Sequence, residues 1–61
     1  MEINYLKETL FDEFDRFDDY ECIISDLRSL NGLNELSDDE YNTIMQNYDL
    51  WLKEWEENGK N

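Results

Sequence analysis

The sequence lacks the residues that small domains most often use to bind structural metals or to form cross-links. It contains no histidine and a single cysteine among 61 residues. One cysteine cannot form an internal disulfide, and one thiolate without imidazoles cannot complete a tetrahedral zinc site. A core of this size rarely supplies more than about 3–5 kcal/mol of net stability. We therefore expect no metal and no cofactor, and a partner chain, for example a second copy in a homodimer, is the remaining common support.

Basic residues are also scarce. Five of them stand against seventeen acidic residues, which gives a net charge of −12 at pH 7. Repulsion from phosphate groups disfavours direct binding to nucleic acids and to anionic membranes. Because there is no leader and no long apolar run, and the free cysteine fits a reducing compartment, we expect a cytoplasmic protein. Such charge is typical of disordered chains, but nine aromatic residues indicate a folded one.

The segment Tyr41–Trp55 has the clearest periodicity. Apolar residues recur there at steps of three and four, which places them on one face of a helix: Tyr41, Ile44, Met45, Tyr48, Trp51, Leu52 and Trp55. Just upstream, Ser37 and Glu40 have the spacing of a capping box. The pattern predicts a helix that starts after Ser37 and ends near Glu57, followed by a frayed tail over 58–61.

The segment from Ile3 to Leu30 contains neither glycine nor proline. A heptad pattern predicts an inward-facing seam of Ile3, Leu6, Leu10, Glu13, Phe17, Tyr20, Ile24 and Leu27, with Phe14 able to replace Glu13. We favour one continuous helix, because Asp-Arg-Phe-Asp is poor loop chemistry. In the alternative, the helix breaks near Asp15–Asp18, Asp18 and Glu21 cap a new start, and Phe11 finds cover in a three-helix bundle.

The fold class that follows is all-α. Asn31-Gly32 should end the N-terminal helix, with Gly32 in the left-handed conformation, and Leu33 and Leu36 should pack beneath the hairpin. We predict a single helical domain over residues 1–61, in which a long or kinked N-terminal helix packs against the C-terminal helix. It has two helices, or three if the first is broken.

The acidic residues fall into groups with different explanations. Asp38, Asp39 and Glu40 occupy a first helical turn, where the helix dipole favours negative charge. On a continuous helix Glu8, Asp12, Asp15 and Asp19 form one outward ridge, with Glu13, Asp18 and Glu21 beside it, and Glu54, Glu56 and Glu57 crowd a helix C-terminus. Both groups destabilise the helices that carry them, which is a mark of function. The predicted partner-binding residues are Glu8, Asp12, Asp15, Asp18, Asp19, Glu54, Glu56 and Glu57.

Ridge carboxylates recur about 5–6 Å apart, the scale of phosphates along a nucleic-acid strand. In its acidic run over 8–21, interleaved with Phe11, Phe14 and Phe17, and in its segment 50–57 (LWLKEWEE), the chain resembles phage-encoded DNA-mimic inhibitors. These small acidic proteins block restriction enzymes or CRISPR effectors and share no diagnostic motif. The resemblance is one of composition over most of the chain. It implies an anti-CRISPR or anti-restriction protein that occupies the basic nucleic-acid-binding surface of its target in the host cytoplasm.

Other chemistry has little support in the sequence. Cys22, beside Ile23-Ile24, is interpreted as a small apolar residue in or near the core. A nucleophilic role lacks a histidine base, and no calcium-loop motif is present, so we expect neither an enzyme nor a metal site. The alternative function is a small helical adaptor, antitoxin or regulator that binds a protein by helix packing, with Phe11, Leu50 and Tyr5 as candidate exposed apolar contacts.

Overall fold

The computed structural model describes residues 3–58, and these form four α-helices without a strand. The helices are α1 (Ile3–Arg16), α2 (Tyr20–Gly32), α3 (Asp38–Gln46) and α4 (Tyr48–Glu57). The all-α prediction is therefore confirmed, whereas the expected number of two or three helices is wrong. Most of the predicted tail, residues 59–61, lies outside the described residues, and Asn58 caps the C-terminal end of α4.

Helix α1 is the centre of the packing. It contacts each of the other three helices, and α3 contacts both α2 and α4. Nine buried apolar side chains form the core: Leu6, Leu10, Phe14, Ile23, Leu27, Leu36, Ile44, Tyr48 and Trp51. Burying one such side chain stabilises the fold by roughly 1.5–3 kcal/mol. Because the nine side chains come from all four helices and from the α2–α3 connection, this one cluster holds these elements together.

The continuous N-terminal helix is not observed, because the chain turns between α1 and α2. Asp19 has an extended backbone (φ −101°, ψ 128°), and its carboxylate accepts a hydrogen bond from the Glu21 N–H at 3.3 Å. A capped, extended residue starts a new helix in a new direction. The break predicted as the alternative near Asp15–Asp18 is thus present, although the cap is Asp19 rather than Asp18. As that alternative also predicted, Phe11 becomes half-buried against the core.

The break also changes which residues of the predicted seam face inward. Phe14 and Ile23 are buried, whereas Phe17 and Ile24 are only partly covered. Tyr20, which the heptad pattern placed inside, is 55 % exposed. A heptad pattern assumes one helical phase, and a turn between two helices resets that phase. The predicted seam is therefore correct for Leu6, Leu10, Glu13 and Leu27 but wrong for Ile3 and Tyr20.

The connection between α2 and α3 differs from the expectation in two details. The left-handed residue is Asn34 (φ 65°), whereas Gly32 is the last residue of α2. Asparagine is among the few residues that tolerate this conformation. Leu36 is buried as predicted, but Leu33 is exposed. The side-chain amide of Asn31 donates to the carbonyl of Leu36 at 3.2 Å, which holds the buried leucine in place.

The predicted C-terminal helix starts as expected but is divided at Asn47. The Ser37–Glu40 capping box is complete, with hydrogen bonds of 3.1 and 2.9 Å. Asn47 has φ −104° and ψ 6°, and its side-chain amide donates to the carbonyl of Thr43 at 2.8 Å. A side chain that bonds the preceding turn competes with regular helix geometry. The division leaves Ile44 on α3 and Tyr48 and Trp51 on α4 within the same core.

Candidate protein-binding surface

The outer side of α1 carries three exposed carboxylates, Glu8, Asp12 and Asp15, which we call the α1 acidic face. They lie at positions i, i+4 and i+7, opposite the buried side chains of Leu6 and Leu10. Asp15 accepts a hydrogen bond from the Trp55 indole N–H at 3.3 Å. The first part of the predicted ridge is therefore present, and one of its carboxylates is held by α4.

The predicted ridge does not continue beyond α1. Asp18 and Asp19 are exposed but lie in the turn to α2, where Asp19 is the helix cap. The neighbouring Cys22 is exposed, and its thiol lies 3.8 Å from the Asp19 carboxylate. The expectation that Cys22 belongs to the core is wrong, because the new helical phase turns Ile23 and Leu27 inward instead.

The acidic residues at the end of α4 are placed individually. Glu54 is half-buried and forms an ion pair with Lys7 of α1, with Nζ and Oε1 3.1 Å apart. Glu56 and Glu57 are exposed. Surface ion pairs of this kind contribute about 0–1 kcal/mol, so the pair fixes the side chains more than it stabilises the fold. All eight predicted partner-binding residues therefore lie at the surface, and Glu54 is the one most engaged within the fold.

An open, aromatic-lined groove of about 430 Å³ lies where the end of α1, the start of α2 and α4 meet. We call it the aromatic groove. Its apolar lining consists of Phe14, Phe17, Tyr20, Ile23, Tyr48, Leu52 and Trp55. The ring of Tyr48 forms T-shaped pairs with the rings of Phe14 and Tyr20, with ring centroids 5.4 and 5.1 Å apart. Edge-to-face pairs of this kind add about 0.5–1.5 kcal/mol each, so the groove has an ordered floor.

The rim of the aromatic groove is acidic. Asp18, Asp49 and Glu56 line it together with the aromatic residues. Two groups of acids that are far apart in the sequence are thereby brought to one site. Burial, together with Tyr20 and Asp49, raises the pKa of the Tyr48 hydroxyl. Asp49 was not among the predicted site residues, although it stands seven residues before Glu56 on one helix face.

Glu13 is a buried carboxyl group that was not among the predicted partner-binding residues. It was placed beside the acidic ridge, but its side chain is only 2 % exposed. Burial, followed by the neighbouring Asp26, raises the pKa of Glu13 to about 7, although Arg16, 3.8 Å away, opposes the shift. Asp26 can accept a hydrogen bond only from a protonated Glu13, and the Glu13 Oε1 atom has no hydrogen-bond partner among the described residues. The position of Glu13 in the predicted heptad seam was the sequence signal that its side chain faces the core.

The remaining surface predictions have mixed outcomes. Leu50 and Tyr5 are exposed large apolar side chains, as expected. Phe11 is half-buried and packs near Phe14, with ring centroids 6.3 Å apart, so it is not a free contact. Tyr48 and Trp51, from the predicted apolar face of the C-terminal helix, are in the core, whereas Trp55 of the same face is partly exposed in the aromatic groove. Within residues 3–58, no group of histidine, cysteine, aspartate or glutamate side chains is arranged to hold a metal ion.

Comparisons with protein-family models, with curated proteins and with solved structures found no match. No helix among the described residues is long and apolar enough to cross a membrane. A functional proposal must therefore be based on the surface itself: the α1 acidic face, the aromatic groove with its acidic rim, and the exposed apolar residues Leu50 and Tyr5.

Proposed function

We propose that this protein is an acidic inhibitor that binds a basic, nucleic-acid-binding surface of a host defence or DNA-processing protein. In this role its carboxylates occupy the positions at which the target binds phosphates, as those of phage-encoded anti-CRISPR and anti-restriction proteins of the DNA-mimic class do. It binds its target without catalysing a reaction. The observation that carries the proposal is the α1 acidic face, in which Glu8, Asp12 and Asp15 are exposed along one helix.

The distribution of cations supports this proposal. Lys7 is paired with Glu54, Arg16 lies beside the buried Glu13, and Arg28 donates to the Tyr41 hydroxyl at 3.4 Å. Neither ion pair between described residues engages the α1 acidic face. Its carboxylates therefore keep their charge available to a partner. A binding site that uses lysine and arginine to contact a phosphate backbone is open to such a surface.

The test starts with capture of the target from a bacterial lysate, with elution by salt, and continues with competition against duplex DNA. We expect DNA to displace the protein and the affinity to fall steeply as salt rises. The double reversal Glu8→Lys/Asp12→Lys should abolish binding while leaving the helical circular-dichroism spectrum intact. Glu35→Lys/Asp39→Lys changes the net charge equally on another exposed surface and is the matched control. Equal loss in both variants would exclude a specific role for the α1 acidic face.

A second function, an adaptor, antitoxin or regulator that binds by helix packing, is favoured by a different observation. Leu50 is 57 % exposed on α4, and Tyr5 is also exposed on α1. In an adaptor, charge mainly changes the association rate, whereas apolar anchors hold the affinity. Leu50→Ala would then weaken binding more than the Glu8→Lys/Asp12→Lys variant does, and the target would bind nucleic acid and this protein together.

A further inference from the structure

The aromatic groove has the construction of a site for an inserted side chain. Its floor is made of the buried Phe14, Ile23 and Tyr48, and its walls are the half-buried Phe17, Leu52 and Trp55. Tyr20 lies at the edge of the groove and is more than half exposed, although its ring forms a T-shaped pair with that of Tyr48. An ordered apolar floor beneath partly exposed aromatic walls is the usual surrounding of an anchor residue at a protein interface.

The size and charge of the groove restrict what can occupy it. A volume of about 430 Å³ takes bulky side chains but not a whole helix, which is about 10–12 Å across. The charged residues that line it are Asp18, Asp49 and Glu56, and none of the lining residues is basic. A second copy of this chain would bring the same three carboxylates and a net charge of −12 against them. Charge complementarity therefore selects a basic occupant.

We propose that the aromatic groove docks a basic amphipathic helix of the target protein, whose bulky apolar side chain enters the groove between Tyr20 and Leu52. Lysine or arginine residues beside that anchor pair with Asp18, Asp49 and Glu56. This inference rests on the proposed function in assuming a basic partner, and it adds an apolar anchor that a purely electrostatic mimic does not need.

The spacing along α4 specifies the register of that helix. Asp49 and Glu56 are seven residues apart, which is about 10 Å along the helix axis, and Leu52 lies between them. A partner helix with two basic residues seven positions apart on one face presents charges at the same separation. An apolar residue midway between them then lies above Leu52.

Lys53 is the nearby cation that opposes such binding. It is exposed on α4, four residues after Asp49 and three before Glu56. It takes part in neither of the ion pairs found between described residues. Its positive charge therefore reduces the attraction of the whole acidic rim for a basic partner rather than neutralising one particular carboxylate. Replacement by glutamine removes this opposition, and Lys53→Gln is expected to bind a basic helix two- to threefold more tightly.

The probe is a synthetic helical peptide with two arginines seven residues apart and a phenylalanine midway between them. Two companion peptides replace the phenylalanine by alanine or both arginines by glutamine. Binding is followed by the indole N–H signals in heteronuclear NMR spectra of the full chain. Trp55 lines the groove and Trp51 is buried in the core. We expect a saturable shift of the Trp55 signal and little change at Trp51, with both companion peptides binding at least about tenfold more weakly.

Matched variants separate the groove from general attraction. Tyr20→Ala removes a groove residue, and Leu50→Ala removes an equally exposed apolar residue outside the groove. Asp49→Asn/Glu56→Gln removes two rim charges, and Glu35→Gln/Asp39→Asn removes two charges from another exposed surface. We expect about tenfold weaker peptide binding in the two groove variants and less than about twofold change in the two controls.

Several results would overturn the groove proposal. They are equal losses in groove and control variants, unchanged binding of the alanine peptide, or a Trp55 shift that follows protein concentration without peptide, which would indicate a second copy in the groove. These outcomes leave the competition with DNA untouched. Conversely, a target that is captured through Tyr20 but binds DNA at the same time would retain the groove and remove the proposed mimicry.

Discussion

The two faces of α1 place the same functional group in opposite environments. Asp12 is exposed to water on the outer face, whereas the next residue, Glu13, is enclosed among the core side chains. A carboxylate at the surface costs the fold little beyond repulsion from its neighbours. A buried carboxyl group is held in its neutral form or destabilises the fold. Among residues 3–58, negative charge is thus concentrated on the outside of an apolar core, and Glu13 is the exception inside it.

The largest expected effect concerns the apolar core. Trp51 is 3 % exposed, whereas its neighbour Leu50 is exposed. Trp51→Ala should lower the free energy of unfolding by about 3–5 kcal/mol, which is comparable to the stability of the whole domain, so the variant should be largely unfolded. Leu50→Ala should change it by less than about 0.5 kcal/mol. Thermal unfolding followed by circular dichroism checks both, and a cooperative, barely shifted transition for Trp51→Ala would show that the core is assigned incorrectly.

The second prediction concerns Glu13 and pH. Its pKa is about 7 in the fold against 4.5 for the ordinary group, so the folded protein holds more protons than the unfolded chain between these values. The contribution of Glu13 to the free energy of unfolding therefore falls as pH rises from 4.5 to 7, and it is constant above pH 7. Glu13→Gln should remove that slope and stabilise the protein at pH 8 by on the order of 3 kcal/mol. Chemical denaturation at pH 5 and pH 8 measures the difference.

The control for this prediction is the neighbouring residue on the outer face. Asp12→Asn removes the same charge from water-exposed surroundings, so it should change stability by only a few tenths of a kcal/mol. Asp26 and Arg16 act on Glu13 and remain present in both variants, whereas Asp12 is the smallest of the influences that raise the pKa of Glu13, so Asp12→Asn should reduce the slope slightly without removing it. If Asp12→Asn removed the slope as well, the pH dependence would come from the total charge rather than from the buried carboxyl.

The third prediction concerns the turn that separates α1 from α2. Asp19→Ala removes the carboxylate that accepts from the Glu21 N–H and should cost about 1 kcal/mol. Asp18→Ala, one residue earlier in the same turn, should cost less than about 0.5 kcal/mol, because Asp18 does not cap the helix. Melting curves of the two variants distinguish the observed cap from the one predicted in the alternative with a broken helix, and a larger loss for Asp18→Ala would reverse that assignment.

The smallest expected effect concerns the charge of the outer surface as a whole. Screening relieves repulsion among the excess acids, so the melting temperature should be higher in about 0.5 M than in about 0.02 M NaCl. Differential scanning calorimetry at the two concentrations measures the shift. A lower melting temperature at high salt would mean that attractive pairs such as Lys7–Glu54 outweigh the repulsion.

How much of this structure the sequence predicted depends on the range of the interactions concerned. The Ser37–Glu40 capping box and the apolar stripe of α3 and α4 are local patterns, and both are observed. The division at Asn47 depends on one side chain bonding one carbonyl, for which asparagine alone is a weak signal. The turn at Asp19 was the less favoured of two interpretations, because residues 15–19 contain three aspartates. Each of them is a candidate N-terminal cap for a new helix.

The candidate site was predicted only in part, for a related reason. Exposure of Glu8, Asp12 and Asp15 follows from the periodicity of α1 alone. The aromatic groove requires Phe14, Tyr20 and Trp55, from three helices, to meet at one place, and no single periodicity contains that information. The exposure of Cys22 was missed because the phase of α2 is set by the turn before it.

The measurement that tests the central claim most directly is whether the captured target binds this protein and nucleic acid at the same time. Sedimentation of the target with this protein and a labelled DNA duplex, at increasing protein concentration, should show DNA released in proportion to the protein bound. The Glu8→Lys/Asp12→Lys variant should release none, and Glu35→Lys/Asp39→Lys should act as the unmodified protein does. A stable complex that contains target, DNA and this protein together would contradict the account.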